Sequence, residues 1–451
     1  MTRKVIRQIP VLWLAWLAAG IPVAPAAVPP IAGDDRLILE ALVGHAQKMA
    51  EGLNAARFQT IKCPEDLCWI DLPKVNAILT AYELTGDPAH LRAAAASLEA
   101  LLSTLVKGAD GTLGWYGTGI AGNLDPAKPE ARIREIQTDF RAVAVLSRFI
   151  ELTDADPTLK AEFAAKRAGW IELMEKDLVG YWHAQGYFQD LGERGGIYQW
   201  NKDYRPTAAG LTLPHEKLSM MVDGLLGLYR VGGNDEQARR AAKVGLWVKR
   251  CLAFNDGCYS WSRWSPAGPW DIHPENPAKW KTWVGADPKA QWYAAAVHTA
   301  AQLYQHGLVF SRGDMDRFTA TQTRVCWNGN ATEPVFAQTD GKPAKEGERF
   351  IAPELAAFNE PFADFVYGPA ATAERVKSAS SEWKGGILAA PWLHGKFIGL
   401  PDNKASNPRT REIMKAFLAK PENAPFSADK TFQVTPPGFS TPPAPTATST
   451  P

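Results

Sequence analysis

The chain lacks both a charge excess of one sign and a long hydrophobic run in its body. Lysine and arginine number 49 against 48 aspartates and glutamates, so the formal net charge is +1. A nucleic-acid-binding protein normally has a strong basic excess, and we therefore expect no nucleic-acid partner. No apolar stretch reaches the roughly 20 residues that a membrane-spanning helix needs, so we expect no membrane span.

Sequence signatures of cofactor and metal sites are also missing. There is no Gly-Lys-Ser/Thr loop that could hold phosphates and no Cys-x-x-Cys pair. His215-Glu216 is followed by Lys217-Leu218-Ser219, so the second histidine of a His-Glu-x-x-His zinc helix is absent. No Gly-x-Ser-x-Gly elbow occurs between a strand and a helix. We expect no cofactor, no metal, and chemistry performed by side chains alone.

Cysteine is scarce, with five residues in the chain. In an oxidising compartment, Cys63 could bridge to Cys68 and Cys251 to Cys258, which would leave Cys326 free. The alternative is that all five are buried thiols, because sequence alone does not determine the geometry of a disulfide.

The first residues have the pattern of an export signal. Residues 1–26 combine a basic head, a short apolar segment at 11–19 and a small-residue end at Ala26. We expect cleavage near Ala26 and a secreted or periplasmic product. This part contains three basic residues and no acid, so its removal would change the formal charge from +1 to −2. An acidic polymer would then have to be bound by a local cluster of basic side chains.

A pair of helices recurs along the chain. An apolar helix ends at Gly86-Asp87-Pro88 and a second helix follows it, and similar stops occur at 156–157, 232–235 and 312–314. Glycine, asparagine and aspartate in these positions are typical of helix ends and starts. The pattern predicts an all-α protein made of repeated helical hairpins.

Long connections separate these hairpins. Residues 107–131, 181–214, 254–289 and 327–352 far exceed the two to eight residues usual between bundle helices. Such hairpins form either an open solenoid or a closed ring. Long loops gathered on one rim would form a cleft, which favours an α/α toroid of six or seven hairpins. We expect one catalytic domain at 32–430, and a disordered Pro/Thr/Ser-rich tail at 434–451.

Tryptophan is unusually frequent, with 17 residues. Many lie in glycine-rich, loop-like segments, where a flat indole could stack on a sugar ring and donate its N–H to a hydroxyl. The alternative is that these residues fill a large core.

Two stretches contain the main candidates for chemistry. One runs from Arg194 to Arg205 and continues into His215 and Glu216, which follow Pro214 at a predicted helix start. The other is residues 258–264, whose alternation predicts a strand or extended loop with Tyr259, Trp261 and Arg263 on one face. The alternatives are a capping or core histidine and a surface hairpin with structural aromatic residues.

Weaker candidates lie near other predicted helix starts. They are Gln137, Asp139 and Arg141, then Asn359 and Glu360, and finally residues 392–396. Each set also fits helix capping or a solvated surface.

The helical repeat over most of the chain, with Asn201, His215, Tyr259 and Arg263, resembles the polysaccharide lyases built on α/α toroids. It is most similar to polysaccharide lyase family 38, which acts on uronic-acid polymers such as alginate and glucuronan. The resemblance implies metal-independent β-elimination on an acidic polysaccharide.

In that reaction, the carboxylate of the sugar must be neutralised and a proton must move from C5 to the departing O4. We expect His215 or Tyr259 to transfer protons, and Arg263, Asn201 and Glu216 to bind the carboxylate. Expected substrate-binding residues are Trp200, Tyr198, Tyr204, Trp261, Arg194, Lys202, Arg141 and Trp115.

Two other functions fit the same sequence. A glycoside hydrolase would use two carboxylic acids, for which Asp139, Asp190, Asp203, Glu216, Asp271 and Glu360 are candidates. A non-catalytic glycan-binding protein would use the tryptophans alone.

Overall fold

A computed structural model describes residues 30–118, 132–203, 207–286, 289–379, 382–399 and 408–434. The expected export signal, Tyr204 and all but the first residue of the expected tail lie outside the described residues. Within them the chain is mostly helical with few short strands, which confirms the all-α prediction. None of the helices in these ranges is long and apolar enough to cross a membrane.

The helices are labelled in chain order. They are α1 Gly33–Gly52, α2 Ala55–Gln59, α3 Pro64–Asp66, α4 Leu72–Thr85, α5 Pro88–Leu102, α6 Ile136–Asp154, α7 Pro157–Glu162, α8 Ala164–Leu173, α9 Val179–Ala184, α10 His215–Gly232, α11 Asp235–Arg250, α12 Ala294–Gln305, α13 Arg312–Ala320, α14 Glu360–Tyr367, α15 Pro369–Ala379, α16 Glu382–Phe397 and α17 Pro408–Leu418. Three further turns are π-helical: Leu67–Asp71, Met174–Leu178 and Thr321–Cys326.

The strands form small two-stranded antiparallel ribbons within the connections. They pair as β1 Val106–Lys107 with β2 Leu113–Gly114, β3 Tyr116–Gly117 with β4 Ile133–Arg134, β5 Phe188–Asp190 with β6 Gly196–Tyr198, β7 Ala253–Asn255 with β8 Cys258–Ser260, and β9 Ile272–His273 with β10 Asn276–Trp280.

Helix ends follow the local sequence. Gly86 ends α4 with a left-handed φ of 71°, and the Asp87 side chain accepts a hydrogen bond from the first turn of α5. Gly233 ends α10 with φ 78°, and Asn234 caps α11 in the same way. A residue with a Cβ is strained at a positive φ, which explains why glycine stands at both helix ends.

Contacts between helices follow one order. Helix α4 packs against α6, α6 against α10, and α10 against α12. Three of these helices also pack against the next helix along the chain: α4 against α5, α10 against α11, and α12 against α13. Helix α16 packs against α1 and α4, so helices from the two ends of the chain are in contact.

The long connections also contact one another. Each contact is a hydrogen bond between successive connections or a residue that flanks one. Asn201 Nδ2 donates to Arg134 O at 3.0 Å, Trp264 Nε1 to Thr212 O at 2.6 Å, and Thr339 Oγ1 to Trp261 O at 3.3 Å. These segments therefore lie together in the described structure.

All five cysteines are free thiols. The bridges Cys63/Cys68 and Cys251/Cys258 are thus absent from the structure, and the alternative of buried thiols holds for Cys68 and Cys326, whereas the other three thiols are half-buried. Burial raises the pKa of Cys68 to about 11 and that of Cys251 to about 12, so neither thiol is activated as a nucleophile.

Candidate functional site

The first turn of α10 consists of three polar residues that are all buried. Pro214 precedes the helix, and His215, Glu216 and Lys217 follow it. The backbone N–H of His215 donates to the carbonyl of Arg263 at 2.9 Å. This bond joins the two stretches that the sequence singles out.

Glu216 and Arg263 form an ion pair at this point. Arg263 Nη2 lies 2.5 Å and Nε 3.1 Å from Glu216 Oε1. The guanidinium also lies over the Trp292 ring, with Cζ 4.5 Å from the ring centroid. Glu216 is buried, whereas the Arg263 side chain is 33% exposed. Among the described residues, Glu216 Oε2 has no hydrogen-bond partner.

A second cluster lies around Lys217. Its Nζ is 3.4 Å from Glu65 Oε1, and the side-chain amide of Gln137 donates to the same oxygen. The same ammonium lies 4.5 Å from the Trp200 ring centroid and 5.6 Å from that of Trp69. A cation over an indole face is stabilised by the ring quadrupole, so both rings help to hold this charge.

Trp69 owes its position to the π-helical turn at Leu67–Asp71 between α3 and α4. Leu67, Cys68 and Asp71 in this turn are buried, but Trp69 is 38% exposed. A π-turn inserts a residue into helical geometry and is frequent at functional sites. The turn therefore presents an indole to solvent beside a buried charged cluster.

A third cluster surrounds His298 on α12. Its Nδ1 lies 3.0 Å from Glu354 Oε1 and its Nε2 3.0 Å from Asp223 Oδ2. Burial lowers the pKa of His298, but the two carboxylates outweigh burial and raise the pKa well above 6.5. His298 is therefore an imidazolium at neutral pH, and both ring nitrogens are occupied.

No group of three or more His, Cys, Asp or Glu side chains in the described ranges is arranged to hold a metal ion.

His215 itself is enclosed. Its Nε2 lies 2.9 Å from Ser265 Oγ, and the ring is buried. Burial lowers its pKa to about 4, so the imidazole is neutral at physiological pH. A neutral imidazole suits a general base, and Nδ1 has no hydrogen-bond partner among the described residues, but the ring is as buried as Glu216.

Tyr259 lies in a different environment from Arg263. Its hydroxyl donates to Asp314 Oδ1 at 2.7 Å and accepts from Arg317 Nη1 at 2.9 Å. The same aspartate accepts a hydrogen bond from the fully buried Lys249 at 2.9 Å. Burial, followed by the Asp314 carboxylate, raises the pKa of Tyr259. This closed group, Lys249–Asp314–Tyr259–Arg317, is called the α13 cluster below.

Asn201 stabilises a connection. Its Nδ2 donates to Arg134 O at 3.0 Å and its Oδ1 accepts from the backbone of Asp203 at 2.8 Å. Because the side chain is buried and both polar atoms are bonded, it is not positioned as a carboxylate ligand in this conformation.

Three of the predicted substrate-binding aromatic residues are buried with their polar atoms bonded. Tyr198 shares a hydrogen bond with His183 at 2.8 Å. Trp115 Nε1 donates to Thr104 and Trp261 Nε1 to the carbonyl of Tyr293. These residues fill the core, as the alternative for the tryptophans stated. Trp200 is also mostly buried, but its ring contacts Lys217.

The predicted basic ligands lie apart. Arg194 and Lys202 are exposed, and Lys202 Nζ is 5.8 Å from the Tyr187 ring centroid. Arg141 is half-buried and close enough to Cys68 to oppose the rise in the pKa of that thiol. Of these three residues, Arg141 lies nearest to the Lys217 cluster in its electrostatic effect, because Arg141 and Lys217 both act on the Cys68 thiol.

The structure thus brings Glu216, Arg263 and the backbone of His215 together. The side chains of Asn201 and Tyr259 bond to other residues and do not join this group. Sequence reasoning missed Trp69 and Trp292 and the His298 cluster. One signal for the latter was available, since Glu216 and Asp223 are seven residues apart on α10 and so lie on one helical face.

No protein-family model matches this chain, and no curated protein matches it either. The function has therefore to be inferred from the side chains of the site.

Proposed function

We propose that this protein is an exported polysaccharide lyase that cleaves a uronic-acid-containing polysaccharide by β-elimination. The observation that supports this proposal is the Glu216–Arg263–Trp292 group at the start of α10. The Arg263 guanidinium is partly exposed and lies over the Trp292 indole. Glu216 Oε1 is bonded to Arg263, and Glu216 Oε2 has no partner among the described residues.

Each part of this group matches a need of the reaction. The Arg263 guanidinium, whose Nε and Nη2 donate to Glu216 Oε1, still supplies a positive charge to a carboxylate, and neutralising the uronate carboxylate makes its C5 proton acidic enough to remove. Glu216 Oε2 accepts that proton. The C5–H bond breaks, the C4=C5 double bond forms, and the C4–O4 bond breaks. The departing O4 then takes a proton from Glu216 or from water.

This scheme differs from the sequence-based one in its proton acceptor. His215 is enclosed, and the Tyr259 hydroxyl is held by Asp314 and Arg317. His215 Nδ1 and Glu216 Oε2 are both buried and without a described partner, and we assign the role of base to Glu216 because it is paired with the partly exposed Arg263, which keeps the role of carboxylate ligand. His215 positions the Arg263 backbone through its N–H.

The architecture in this proposal is an α/α toroid with the long connections on one rim. The order of helix contacts and the packing of α16 against α1 and α4 support a closed ring. Hydrogen bonds between successive long connections support a common rim. Export rests on the pattern of residues 1–26.

A glycoside hydrolase is the second candidate. Two buried carboxylates, Glu65 and Glu216, flank the first turn of α10, each beside a cation. A hydrolase needs two carboxyl groups on either side of the scissile bond, one of them protonated, and the cation beside each of these favours the ionised form. This pair is the observation that favours hydrolysis.

One assay separates these functions. The protein without residues 1–26 is incubated with alginate, glucuronan and neutral glucans, and both near-ultraviolet absorbance and reducing ends are measured. A lyase produces an unsaturated uronate, which absorbs, together with reducing ends. Reducing ends without absorbance indicate a hydrolase. Binding with neither product indicates a glycan-binding protein and contradicts the proposal.

The Glu216→Gln variant tests the assignment of the base. We expect it to lose cleavage, because an amide cannot accept the C5 proton. Glu333→Gln is the matched control, since Glu333 is exposed. Full activity of E216Q would assign the base elsewhere.

A further inference from the structure

We propose that Trp69, Lys217 and Gln137 form a binding subsite for a uronate residue of the polysaccharide, next to the Glu216–Arg263 group. The inference rests on the proposed function, because it names a second point of contact for the same substrate.

The first argument is the exposure of Trp69. Among the described tryptophans, Trp69 and Trp283 are the ones exposed by more than a third, at 38% and 67%. Burial of an indole is favourable, and a large aromatic ring left in solvent is consistent with a ligand surface. Trp283 lies in a connection without a charged cluster in the described contacts, whereas Trp69 lies beside the ammonium of Lys217.

The second argument is chemical complementarity. The apolar face of a pyranose stacks on an indole, and an ammonium binds a carboxylate. Lys217 Nζ lies 5.6 Å from the Trp69 ring centroid, and its side chain is 8% exposed and paired with Glu65, so a uronate stacked on the indole would share the ammonium with Glu65. A neutral sugar would contact the indole but has no carboxylate for the ammonium. We therefore assign a uronate to this subsite.

The third argument is an unsatisfied acceptor. Gln137 is fully buried and its amide nitrogen is bonded to Glu65, but Gln137 Oε1 has no partner among the described residues. A buried amide oxygen without a partner costs about 1 to 3 kcal/mol, so such atoms often mark the position of a ligand or water. A sugar hydroxyl could donate to it.

The fourth argument is the position relative to the proposed reaction centre. Glu216 and Lys217 are consecutive in the first turn of α10, so their side chains leave the helix about 100° apart. The two groups are therefore neighbours on adjacent faces of one helix end. A polysaccharide that places one uronate on Arg263 could place another on Lys217.

The test measures binding separately from cleavage. Tetrasaccharides of mannuronate, guluronate and glucuronate, and a neutral tetraglucan, are titrated by calorimetry into the E216Q variant and into the same variant with Trp69→Ala. We expect at least one tetrauronate to bind more tightly than the tetraglucan, and W69A to weaken it about tenfold or more. Trp283→Ala is the matched control and should bind as E216Q does. Trp69→Phe should restore part of the loss.

Lys217→Met adds a charge readout. It should reduce the affinity for the tetrauronate and flatten its dependence on salt, with folding checked by near-ultraviolet circular dichroism. Equal binding by W69A and E216Q, or equal affinity for the tetraglucan and every tetrauronate, would overturn the subsite. No binding of any tetrauronate would also overturn it. The proposed function fails separately, when wild type releases no unsaturated product.

Discussion

Tyr259 and Arg263 lie four residues apart in one segment, yet they belong to two different kinds of site. Tyr259 joins the α13 cluster, in which Lys249 and Asp314 are fully buried. Arg263 joins Glu216 and Trp292, and a third of its side chain faces solvent. Both groups contain an ion pair, so charge alone does not distinguish them. In the α13 cluster the lysine and the aspartate are both fully buried and Arg317 at the edge is 27% exposed, whereas in the open group the cation itself reaches solvent beside an indole.

The difference arises where the strand ends. Strand β8 covers Cys258–Ser260 and pairs with β7, and it packs against α13. Strict alternation applies only inside a strand. Because the chain leaves the strand after Ser260, Tyr259 and Arg263 have no reason to share a face.

Lys249→Met should have the largest effect of the changes considered. It leaves the Asp314 carboxylate buried without its main counter-ion, which costs about 3 to 5 kcal/mol of unfolding free energy. Urea denaturation measures the loss. Lys342→Met is the control, because the Lys342 side chain is 74% exposed in its pair with Asp340. A loss below about 1 kcal/mol would show that the α13 cluster is not a stabilising unit.

Arg263→Ala tests the open group. Removing a charge that is complementary to the transition state should lower kcat/KM on a cleaved polyuronate by about 100-fold or more. Unfolding free energy should fall by less than in Lys249→Met, because Arg263 is a third exposed, but it should fall, because the buried Glu216 loses its counter-ion. Arg324→Ala, at an exposed ion pair with Asp256, is the control and should keep full activity. Equal activity of R263A and wild type would contradict the assignment.

Tyr259→Phe tests the α13 cluster. It removes a hydrogen bond to a buried carboxylate, so it should cost about 1 to 3 kcal/mol of unfolding free energy. Cleavage should stay within about twofold of wild type, since the hydroxyl does not face the open group. The opposite result, normal stability with no cleavage, would make Tyr259 the proton-transfer residue that the sequence pattern indicates.

His298→Gln should have the smallest effect, and its size should depend on pH. The pKa of His298 is raised in the folded protein, so its ion pairs contribute fully below the unfolded pKa of about 6.5 and are lost as the pH rises through the folded pKa. We expect a loss of about 1 kcal/mol near pH 6 that shrinks as the pH rises through the raised pKa of His298. Denaturation of both proteins at a series of pH values from about 6 upward measures it. A loss that grows with pH would mean that His298 is neutral in the folded state.

Much of the helical framework could be predicted from the sequence. Gly86-Asp87-Pro88 and Gly233-Asn234 end one helix and start the next through backbone conformation and capping, which involve residues within four positions of each other. The start of α10 after Pro214 follows from the same local rules. The burial of Trp115 and Trp261 could not be predicted, because a tryptophan in a glycine-rich connection fits a core and a cleft equally well.

By itself the sequence determined where helices begin and end, and which polar residues stand at the start of α10. Only the tertiary structure decided which of them meet. Arg263 finds Glu216 across 47 residues, and Glu65 finds Lys217 across 152. Caps and glycine stops depend on short-range sterics and hydrogen bonds, so a local pattern specifies them. Ion pairs between distant segments depend on how several helices pack, and no local pattern contains that information.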